Sequence, residues 1–333
     1  MQIAQGEGVR MRGVIAVLGF VAAALLAAPA HAADVWPSRP IRLIVVFPAG
    51  GPSDVLARAL AQKLGERIKQ QVVVDNRPGG SGLIGNDVVA KAPPDGYTLG
   101  IPSAGSMAIV PNLLKLPYDR DKDLMPISVV ARVPEVVVAH PKRVEGKTLA
   151  EVLAFAKANP GKLNFGSTGN GSPVHLVLER MKQLSGVDIV HVPYKGAALA
   201  LQDILAGQIE MTAADAPGVI AHIGAGSLRA LALTDTVRLA ALPDVPTFAE
   251  AGLPGVEMIN WYVLVGPGTL PAPLLGEIHA AVIATLRDPG LTAQLGALGL
   301  TLDGTTPQAA RAWIQSETKK WGDVARAANV QLD

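Results

Sequence analysis

The chain has 333 residues, with 29 basic and 28 acidic side chains and a formal net charge of +1 at pH 7. A charge so close to zero gives no electrostatic attraction to nucleic acid or to an anionic membrane surface. The chain has no cysteine, which excludes disulfides, thiol nucleophiles and thiolate metal sites. A protein of this size can be stabilised by ordinary hydrophobic cores instead.

The N-terminal segment has the pattern of a secretory signal. Arg10 and Arg12 precede the apolar run "VIAVLGFVAAALLAA", and "PAHA" follows it with small residues. This order predicts a signal peptide over 1–32 that is cleaved after Ala32. The apolar run is too short to indicate a membrane span, although a buried N-terminal helix is an alternative. Translation starts either at the first residue or at Met11.

The rest of the chain alternates β-branched runs with longer helical patterns, which is typical of an α/β fold with a parallel sheet. Apolar residues recur at three- and four-residue spacing in "SDVLARALAQKLGERI" and again in a last helix over 307–329. The predicted strands cover residues 41–47, 72–75, 98–103, 128–139, 162–166, 189–193, 210–215, 228–234, 258–265 and 301–304.

Two long extended segments interrupt this alternation. They are "PISVVARVPEVVVAHP" and "MINWYVLVGPGTLP", and a new helical pattern follows each. If both cross between domains, domain 1 comprises 33–133 and 262–333, and an inserted domain 2 comprises 134–261. Two lobes joined by two extended strands form a hinge with a cleft. The alternative is that both segments are central strands of one large sheet.

A first glycine loop, "FPAGGPSD" at 47–54, follows the first predicted strand and opens a helix. Ligands of parallel sheets bind beyond the carboxyl ends of the strands, where helix N-termini present free N–H groups and a positive dipole end. The loop has no lysine or arginine, so we expect its main chain to contact an anion, with Ser53 or Asp54 as the helix cap. The predicted ligand contacts are Pro48, Ala49, Gly50, Gly51, Ser53 and Asp54.

A second glycine loop, 165–172, has the same order of strand, glycines and helix in the proposed inserted domain. In "FGSTGNGSPVHL", Ser172 is the predicted N-cap and Pro173 the first helical residue. One such loop in each lobe would hold a carboxylate from both sides of the cleft. The predicted contacts are Ser167, Thr168, Gly169, Ser172 and, on the following helix, His175.

Further candidate contacts lie at the ends of other predicted strands. Lys195 in "VPYKGA" is either the basic side chain nearest the cleft or a solvated loop lysine. Asp54 and Asp215 either cap and bond the backbone or accept a hydrogen bond from a ligand amine, hydroxyl or water. Trp261 and Tyr262 are candidates for contact with a planar ligand or for packing at the hinge. The complete set of these further contacts is Ser103, Ser106, Tyr194, Lys195 and Asp215.

Several catalytic and cofactor motifs are absent or incomplete. "GSTGNGS" resembles a phosphate loop, but Ser172 occupies the position of its lysine. "GSGLIG", 80–85, matches a dinucleotide-binding pattern, yet it follows the second strand and is better explained as a turn that enters a helix. No G-x-S-x-G elbow is present, and the histidines after the leader are never at metal-ligand spacing. We therefore predict no catalytic group, metal or cofactor.

Several longer stretches carry a resemblance to a known family. They are "WPSRPIRLIVVFPAGGPSDVLAR", "VVVDNRPGGSGLIGNDVVAKAPPDGYTL", "LNFGSTGNGSPVHL", "VPYKGAALALQDILAGQIEM" and "LPDVPTFAEAGLPG". Together they resemble the Bug family, the TctC-like extracytoplasmic solute receptors of tripartite tricarboxylate transporters, along nearly all of residues 33–333. One departure is "PGGSG", where the family often has "PGAGG", and a turn is still compatible with it.

The resemblance implies a type II, Venus-flytrap periplasmic binding protein whose two lobes close on a small carboxylate. It also implies that main-chain groups and ordered waters of the loops at 48–54 and 167–172 hold that carboxylate. The ligand would be a di- or tricarboxylate, an amino acid or an aromatic acid, and the partner a membrane transporter or a sensor kinase. We expect a monomer without enzymatic activity; the alternatives are a sensor-only role and a hydrolase or transferase that uses Asp54 and Asp215.

Overall fold

The computed structural model describes residues 36–327, 329 and 330. Contacts divide the chain into residues 1–38 and 39–333. Of the first unit only 36–38 are described, with a cis peptide between Trp36 and Pro37, so the predicted signal peptide lies outside the described residues. Within the described part of the chain, no helix is both long and apolar enough to cross a membrane.

All ten strands that the sequence predicts are present. Most are short and buried on both faces, as expected for apolar runs in a sheet that helices cover on both sides. The strands are β1 (Ile41–Val45), β2 (Val72–Asn76), β3 (Thr98–Ile101), β4 (Leu124–Ala139), β5 (Asn164–Ser167), β6 (Val190–Pro193), β7 (Met211–Asp215), β8 (Arg229–Leu233), β9 (Ile259–Pro267) and β10 (Thr301–Leu302).

Helices separate these strands in the predicted manner. The 80–85 pattern forms a 3₁₀ turn, Gly80–Gly82, that leads into a helix, and a π-helical turn, Gly105–Ile109, follows β3. The α-helices are α1 (Pro52–Ile68), α2 (Leu83–Ala90), α3 (Arg120–Asp123), α4 (Leu149–Ala158), α5 (Pro173–Ser185), α6 (Ala197–Leu205), α7 (Ala216–Gly224), α8 (Ala272–Leu286), α9 (Pro289–Gly296) and α10 (Pro307–Ala327).

Strand β4 is shared by two groups of strands. The order along the hydrogen-bonded path is β2-β1-β3-β9-β4-β7-β5-β6, and β8 and β10 also pair with β4. The first part of β4, up to Pro134, pairs with β9, whereas the part from Glu135 onward pairs with β7 and β8. The long extended segment at 124–139 therefore passes from one group to the other. The residue limits of the two domains stay a prediction.

Helix α10 has a buried apolar side and contacts Trp261 of the crossover strand β9. Ile314 and Trp321 are buried on this helix, and Trp261 on β9 is fully buried. The indole N–H groups of Trp321 and Trp261 both donate to Glu317 Oε2, at 2.8 Å and 3.4 Å. These contacts support packing rather than ligand contact as the role of Trp261.

Candidate ligand-binding site

The first glycine loop connects β1 to α1 at the carboxyl end of its strand. The N-cap of its helix lies two or three residues earlier than predicted: it is Gly51, with no side-chain cap, rather than Ser53 or Asp54. Proline at the first helical position explains this, because its fixed φ and missing N–H suit that position. The loop from Pro48 to Gly50 is exposed, whereas Ser53 and Asp54 are buried.

The carboxylate of Asp54 fastens the first glycine loop from inside. Its Oδ2 accepts from the N–H of Gly50 at 3.0 Å and from Nε of Arg58 at 2.8 Å. Its Oδ1 accepts from Nδ2 of Asn76 at 3.0 Å, and the same amide donates to the carbonyl of Phe47. Burial raises the pKa of Asp54, but the hydrogen bonds from Arg58, Gly50 and Asn76 outweigh burial and lower it.

Arg58 and Asn76 were not among the predicted site residues. Arg58 could have been found, because its spacing of four residues from Asp54 on a predicted helix favours an ion pair. Asn76 ends β2, and only the sheet pairing places it beside the loop. Among the described residues, no acceptor takes the N–H of Gly51 or Ser53, so these two donors of the helix N-terminus remain for a ligand.

The second glycine loop has the predicted cap. Ser172 is the N-cap of α5, its Oγ accepts from the N–H of His175 at 3.2 Å, and Pro173 follows it. The Oγ of Ser167 accepts from the N–H of Gly169 at 3.1 Å. Gly169 has φ +126°, a conformation that L side chains rarely adopt. The fold of this loop therefore depends on both glycine and hydroxyl residues.

Two stacked histidines support the second glycine loop. The rings of His175 and His191 lie parallel, with centroids 3.8 Å apart. Nδ1 of His175 accepts from the N–H of Gly171 at 3.1 Å, and Nε2 of His191 lies 2.6 Å from Oγ of Ser167. Burial, reinforced by electrostatic repulsion from His175, lowers the pKa of His191 to about 4. His191 is therefore neutral at pH 7.

This arrangement changes the interpretation of His175. The sequence predicts it as a ligand contact, which stays a prediction; in the structure its buried ring bonds the main chain of the loop and stacks on His191. His191 was missed because it lies on β6, and only the parallel pairing of β5 with β6 brings it beside Ser167. Thr168 lies on the loop itself, and no described acceptor takes its N–H.

The segment after β3 brings the two glycine loops together. A Cβ atom added at Gly105 would lie 3.5 Å from Cδ of Pro173, at the start of α5. On its other side, a Cβ at Gly82 would lie 2.8 Å from Cβ of Ser106 and 3.1 Å from Cγ2 of Val46, just past β1. The carboxyl end of β1 and the N-terminus of α5 therefore converge on this segment.

The two predicted serines of this segment are both buried. Oγ of Ser106 donates to the carbonyl of Ser103 at 3.2 Å. Ser103 also forms an isolated bridge with Tyr262 on β9. Ser103 therefore lies where the first group of strands meets the crossover.

Asp215 ends β7 opposite Glu135 in the register of β4. It precedes α7, but its side chain makes no capping bond, so capping is not its role. It accepts instead from Nδ2 of Asn260 at 3.2 Å and from the hydroxyl of Tyr262 at 3.3 Å. Burial raises the pKa of Asp215 to about 6, although these two hydrogen bonds oppose the rise.

Tyr194 and Lys195 lie on the loop after β6. The hydroxyl of Tyr194 donates to Oδ2 of Asp203 at 2.8 Å, and burial and this carboxylate raise the pKa of Tyr194 to about 12. Lys195 is exposed. Within the described residues, no three histidine or acidic side chains come together as a metal site would require.

A groove of about 400 Å³ lies away from both glycine loops, between α5, α10 and residues 255–258. Its apolar lining is Leu176, Val177, Val256, Met258, Trp321 and Val324. The donors described above do not face it. We do not assign the ligand to this groove, because organic anions bind where convergent polar groups meet them.

Comparisons with known proteins agree with the resemblance found in the sequence. The model of the tripartite tricarboxylate transporter family receptor, TctC, matches residues 56–330. Protein BugT of Bordetella pertussis (strain Tohama I) is 36% identical over 328 residues, which cover 97% of this chain and 99% of BugT.

Solved structures show the same fold. R. palustris Rpa4515 with adipate has a TM-score of 0.83 at 35% identity and covers 89% of this chain and 99% of its own. MatC from Rhodopseudomonas palustris with bound malate has a TM-score of 0.78 at 29% identity, with coverages of 87% and 99%. The predicted fold class, a two-lobed periplasmic binding protein, is confirmed. The chain belongs to the family of tripartite tricarboxylate transporter receptors, which includes the Bug proteins.

Proposed function

We propose that this chain is a periplasmic solute-binding protein that captures a small organic acid between two lobes. Residues 33–133 and 262–333 would form one lobe and residues 134–261 the other. The ligand would then pass to the membrane subunits of a tripartite tricarboxylate transporter. The leader would direct export and would be cleaved after Ala32.

The observation that carries this proposal is the convergence of the N-terminus of α5 with the carboxyl end of β1, from which the first glycine loop leads to α1. The N-terminus of α5 meets the segment after β3 through Gly105 and Pro173, and that segment also packs near the end of β1. Helix N-termini favour anions because their first N–H groups lack internal acceptors and the dipole is positive there. A helix N-terminus after each of two converging loops would suit a carboxylate that is held from both lobes.

The donors left for a ligand are neutral main-chain groups. They include the N–H groups of Gly51, Ser53 and Thr168, which no described acceptor takes. Arg58 is already paired with Asp54 and is exposed by about half, so it supplies little net attraction at physiological salt. A site of this kind holds an anion by aligned hydrogen bonds. Closure of the lobes would bring the two sets of donors together on the ligand, and opening would separate them and allow release.

The relatives support a dicarboxylate as the first candidate. The structure of Rpa4515 is with adipate and that of MatC is with malate, so members of this fold hold aliphatic dicarboxylates. In a two-lobed protein, the ligand stabilises the closed state through contacts from both lobes. The ligand should therefore change both the stability and the shape of the protein.

The test uses purified residues 33–333 and a panel of adipate, malate, succinate, aspartate, glutamate, nicotinate and citrate. An acid present at one hundred times its Kd should raise the free energy of unfolding by about 2.7 kcal/mol. The same acid should reduce the radius of gyration in solution scattering. The matched control is the methyl ester of each acid that binds, which should leave the melting temperature unchanged.

Two results would overturn the proposal. One is a panel in which no acid shifts the melting temperature. The other is product formation in excess of the protein, which would indicate an enzyme. Delivery to a transporter is tested separately by deleting the gene, and uptake of the bound acid should then be lost.

A further inference from the structure

Four polar side chains from three strands meet where β4 leaves the first group of strands. Glu135 on β4 lies opposite Asp215 at the end of β7. Asn260 and Tyr262, both on β9, donate to the Asp215 carboxylate at 3.2 Å and 3.3 Å. We call these four residues the acidic cluster.

The acidic cluster has more acceptors than donors. Oε2 of Glu135 and Oδ1 of Asn260 are buried and lack a hydrogen-bond partner among the described residues. Glu135 is 2% exposed and Asn260 is 7% exposed. Buried polar atoms in native proteins are nearly always partnered, so two such orphans in one cluster need an explanation.

The acidic cluster also lacks a positive charge. In the described part of the chain, neither Glu135 nor Asp215 has a basic partner. Burial, reinforced by Asp215, raises the pKa of Glu135 well above its ordinary value. Two carboxyl groups without a counter-charge are costly for folding alone, which is typical of groups kept for binding.

The acidic cluster lies next to the donors of the second glycine loop. Gly166 pairs with Thr212 in the parallel register of β5 and β7, so that loop follows the carboxyl end of β5 and Asp215 lies at the carboxyl end of the neighbouring strand β7. Asp215 keeps part of its surface open. Tyr262 also bridges to Ser103, which links the acidic cluster to the segment that joins the glycine loops.

We infer that the acidic cluster receives an ammonium group of the ligand, so that the ligand is an amino acid whose carboxylate is held by the glycine loops. An ammonium has three donors and one positive charge, enough for Oε2 of Glu135, Oδ1 of Asn260 and the negative charge of the cluster. A hydroxyl would supply one donor and no charge. No third acidic, histidine or cysteine side chain joins the two acids among the described residues.

The inference rests on the proposed function and narrows its ligand class. Binding should also release a proton. The titratable groups that face Glu135 are Asp215 on β7 and Tyr262 on β9. Burial and the charge of Asp215 favour the protonated form of Glu135 when no ligand is bound. An arriving ammonium favours the carboxylate form, so that proton leaves to solvent and the affinity rises with pH.

Calorimetry on residues 33–333 tests this with matched pairs of acids that differ only in the amino group. The pairs are aspartate with succinate, glutamate with glutarate, and phenylalanine with 3-phenylpropionate; malate represents the hydroxy acids. At least one amino acid should bind about tenfold or more tightly than its partner, because it alone completes a charged hydrogen bond. Titrations in two buffers of different ionisation enthalpy should show release of about one proton per ligand.

Two variants test whether the preference for the amino acid and the proton release depend on Glu135. Glu135→Gln should bring the Kd of the amino acid to within about threefold of that of its partner and abolish proton release, since the amide carries no titrating proton. Glu210→Gln is the matched control, because Glu210 is also buried but precedes β7 at its opposite end. It should keep the preference for the amino acid.

The outcomes separate this inference from the proposed function. If succinate, glutarate or malate binds as tightly as every amino acid, or if only acids without an amino group bind, the ammonium site is wrong and the binding function stands. If no acid of any kind binds, the proposed function itself fails. The comparison of paired acids uses the unchanged protein, so it shows whether an ammonium group is bound even if Glu135→Gln does not fold.

Discussion

The two glycine loops share one sequence pattern but are supported in different ways. Each runs from a strand through glycines to a proline at the first position of a helix. The first glycine loop is mostly exposed and is fastened by the charged pair of Asp54 and Arg58. The second is fastened by neutral groups, the hydroxyl of Ser167 and the stacked rings of His175 and His191.

This difference shows what such a pattern can and cannot specify. The glycines and proline determine the path of the main chain, because few other residues adopt those dihedral angles. The surroundings decide which N–H groups stay available. In the first glycine loop the helix N-terminus already holds an internal anion, Asp54, whereas the second holds neutral acceptors. We therefore expect the second glycine loop to contribute more of the affinity for an anion.

Replacing one glycine in each loop should have the largest effects. Gly169 has φ +126°, so Gly169→Val should lower the free energy of unfolding by about 1–3 kcal/mol through backbone strain and abolish binding. Gly51 has φ −81°, and an added Cβ would lie 3.8 Å from the carbonyl of Pro48. Gly51→Val should change stability by less than about 0.5 kcal/mol yet weaken binding. Urea unfolding and calorimetry measure both quantities.

A third glycine provides a control that shows whether backbone strain alone weakens binding. Gly186 has φ +68° at the end of α5 with open space around it. Gly186→Val should therefore destabilise the protein as Gly169→Val does but leave the affinity unchanged at temperatures where the protein is folded. Unchanged affinity in Gly51→Val would show that the main chain of the first glycine loop is not a contact surface.

The supports of the two loops should respond to different ranges of pH. The pKa of His191 falls from 6.5 to about 4 on folding, so the unfolded chain binds a proton that the folded protein resists. This contribution to stability is complete above pH 6.5 and is lost as the pH falls to about 4. The pKa of Asp54 is lowered from 3.8, so its contribution is lost only at still lower pH.

Urea unfolding at pH 7, 5.5 and 4.5 measures this difference. The stability of the unchanged protein relative to His191→Gln should fall between pH 6.5 and 4.5, since glutamine does not titrate. His222→Gln, on α7, is the control for removing a histidine elsewhere. A constant difference between the unchanged protein and His191→Gln across this range would mean that His191 is not held neutral behind the loop.

Much of the fold could be predicted because the signals are local. β-Branched runs predicted all ten strands, and apolar spacing predicted α1 and α10. The start of β4 was placed too late, because Pro126 usually interrupts a strand. In the structure β4 begins at Leu124, and the register with β9 shifts between Pro126 and Ser128. A bulge of this kind accommodates the proline.

The candidate site was only partly predictable, because several of its residues are brought together by contacts that are not local in sequence. The glycine loops are local, and the cap at Ser172 follows from its own neighbours. His191, Glu135 and Asn76 become candidate site residues through pairing between strands that are distant in sequence. No local pattern distinguishes Glu135 from other residues of an extended run. Its proposed role follows from the pairing with Asp215, and that pairing depends on where β4 leaves the first group of strands.

The smallest expected effect is that of Lys195→Ala, which tests whether neutral donors are sufficient. Lys195 is exposed, so its loss should change stability by less than about 0.5 kcal/mol. Its charge is screened at physiological salt, so the Kd for the ligand should rise by less than about threefold. Calorimetry at low and at physiological salt measures this. A rise of tenfold or more that vanishes in high salt would mean that a basic side chain holds the anion. The different supports of the two glycine loops would then matter less than the charge beside the second one.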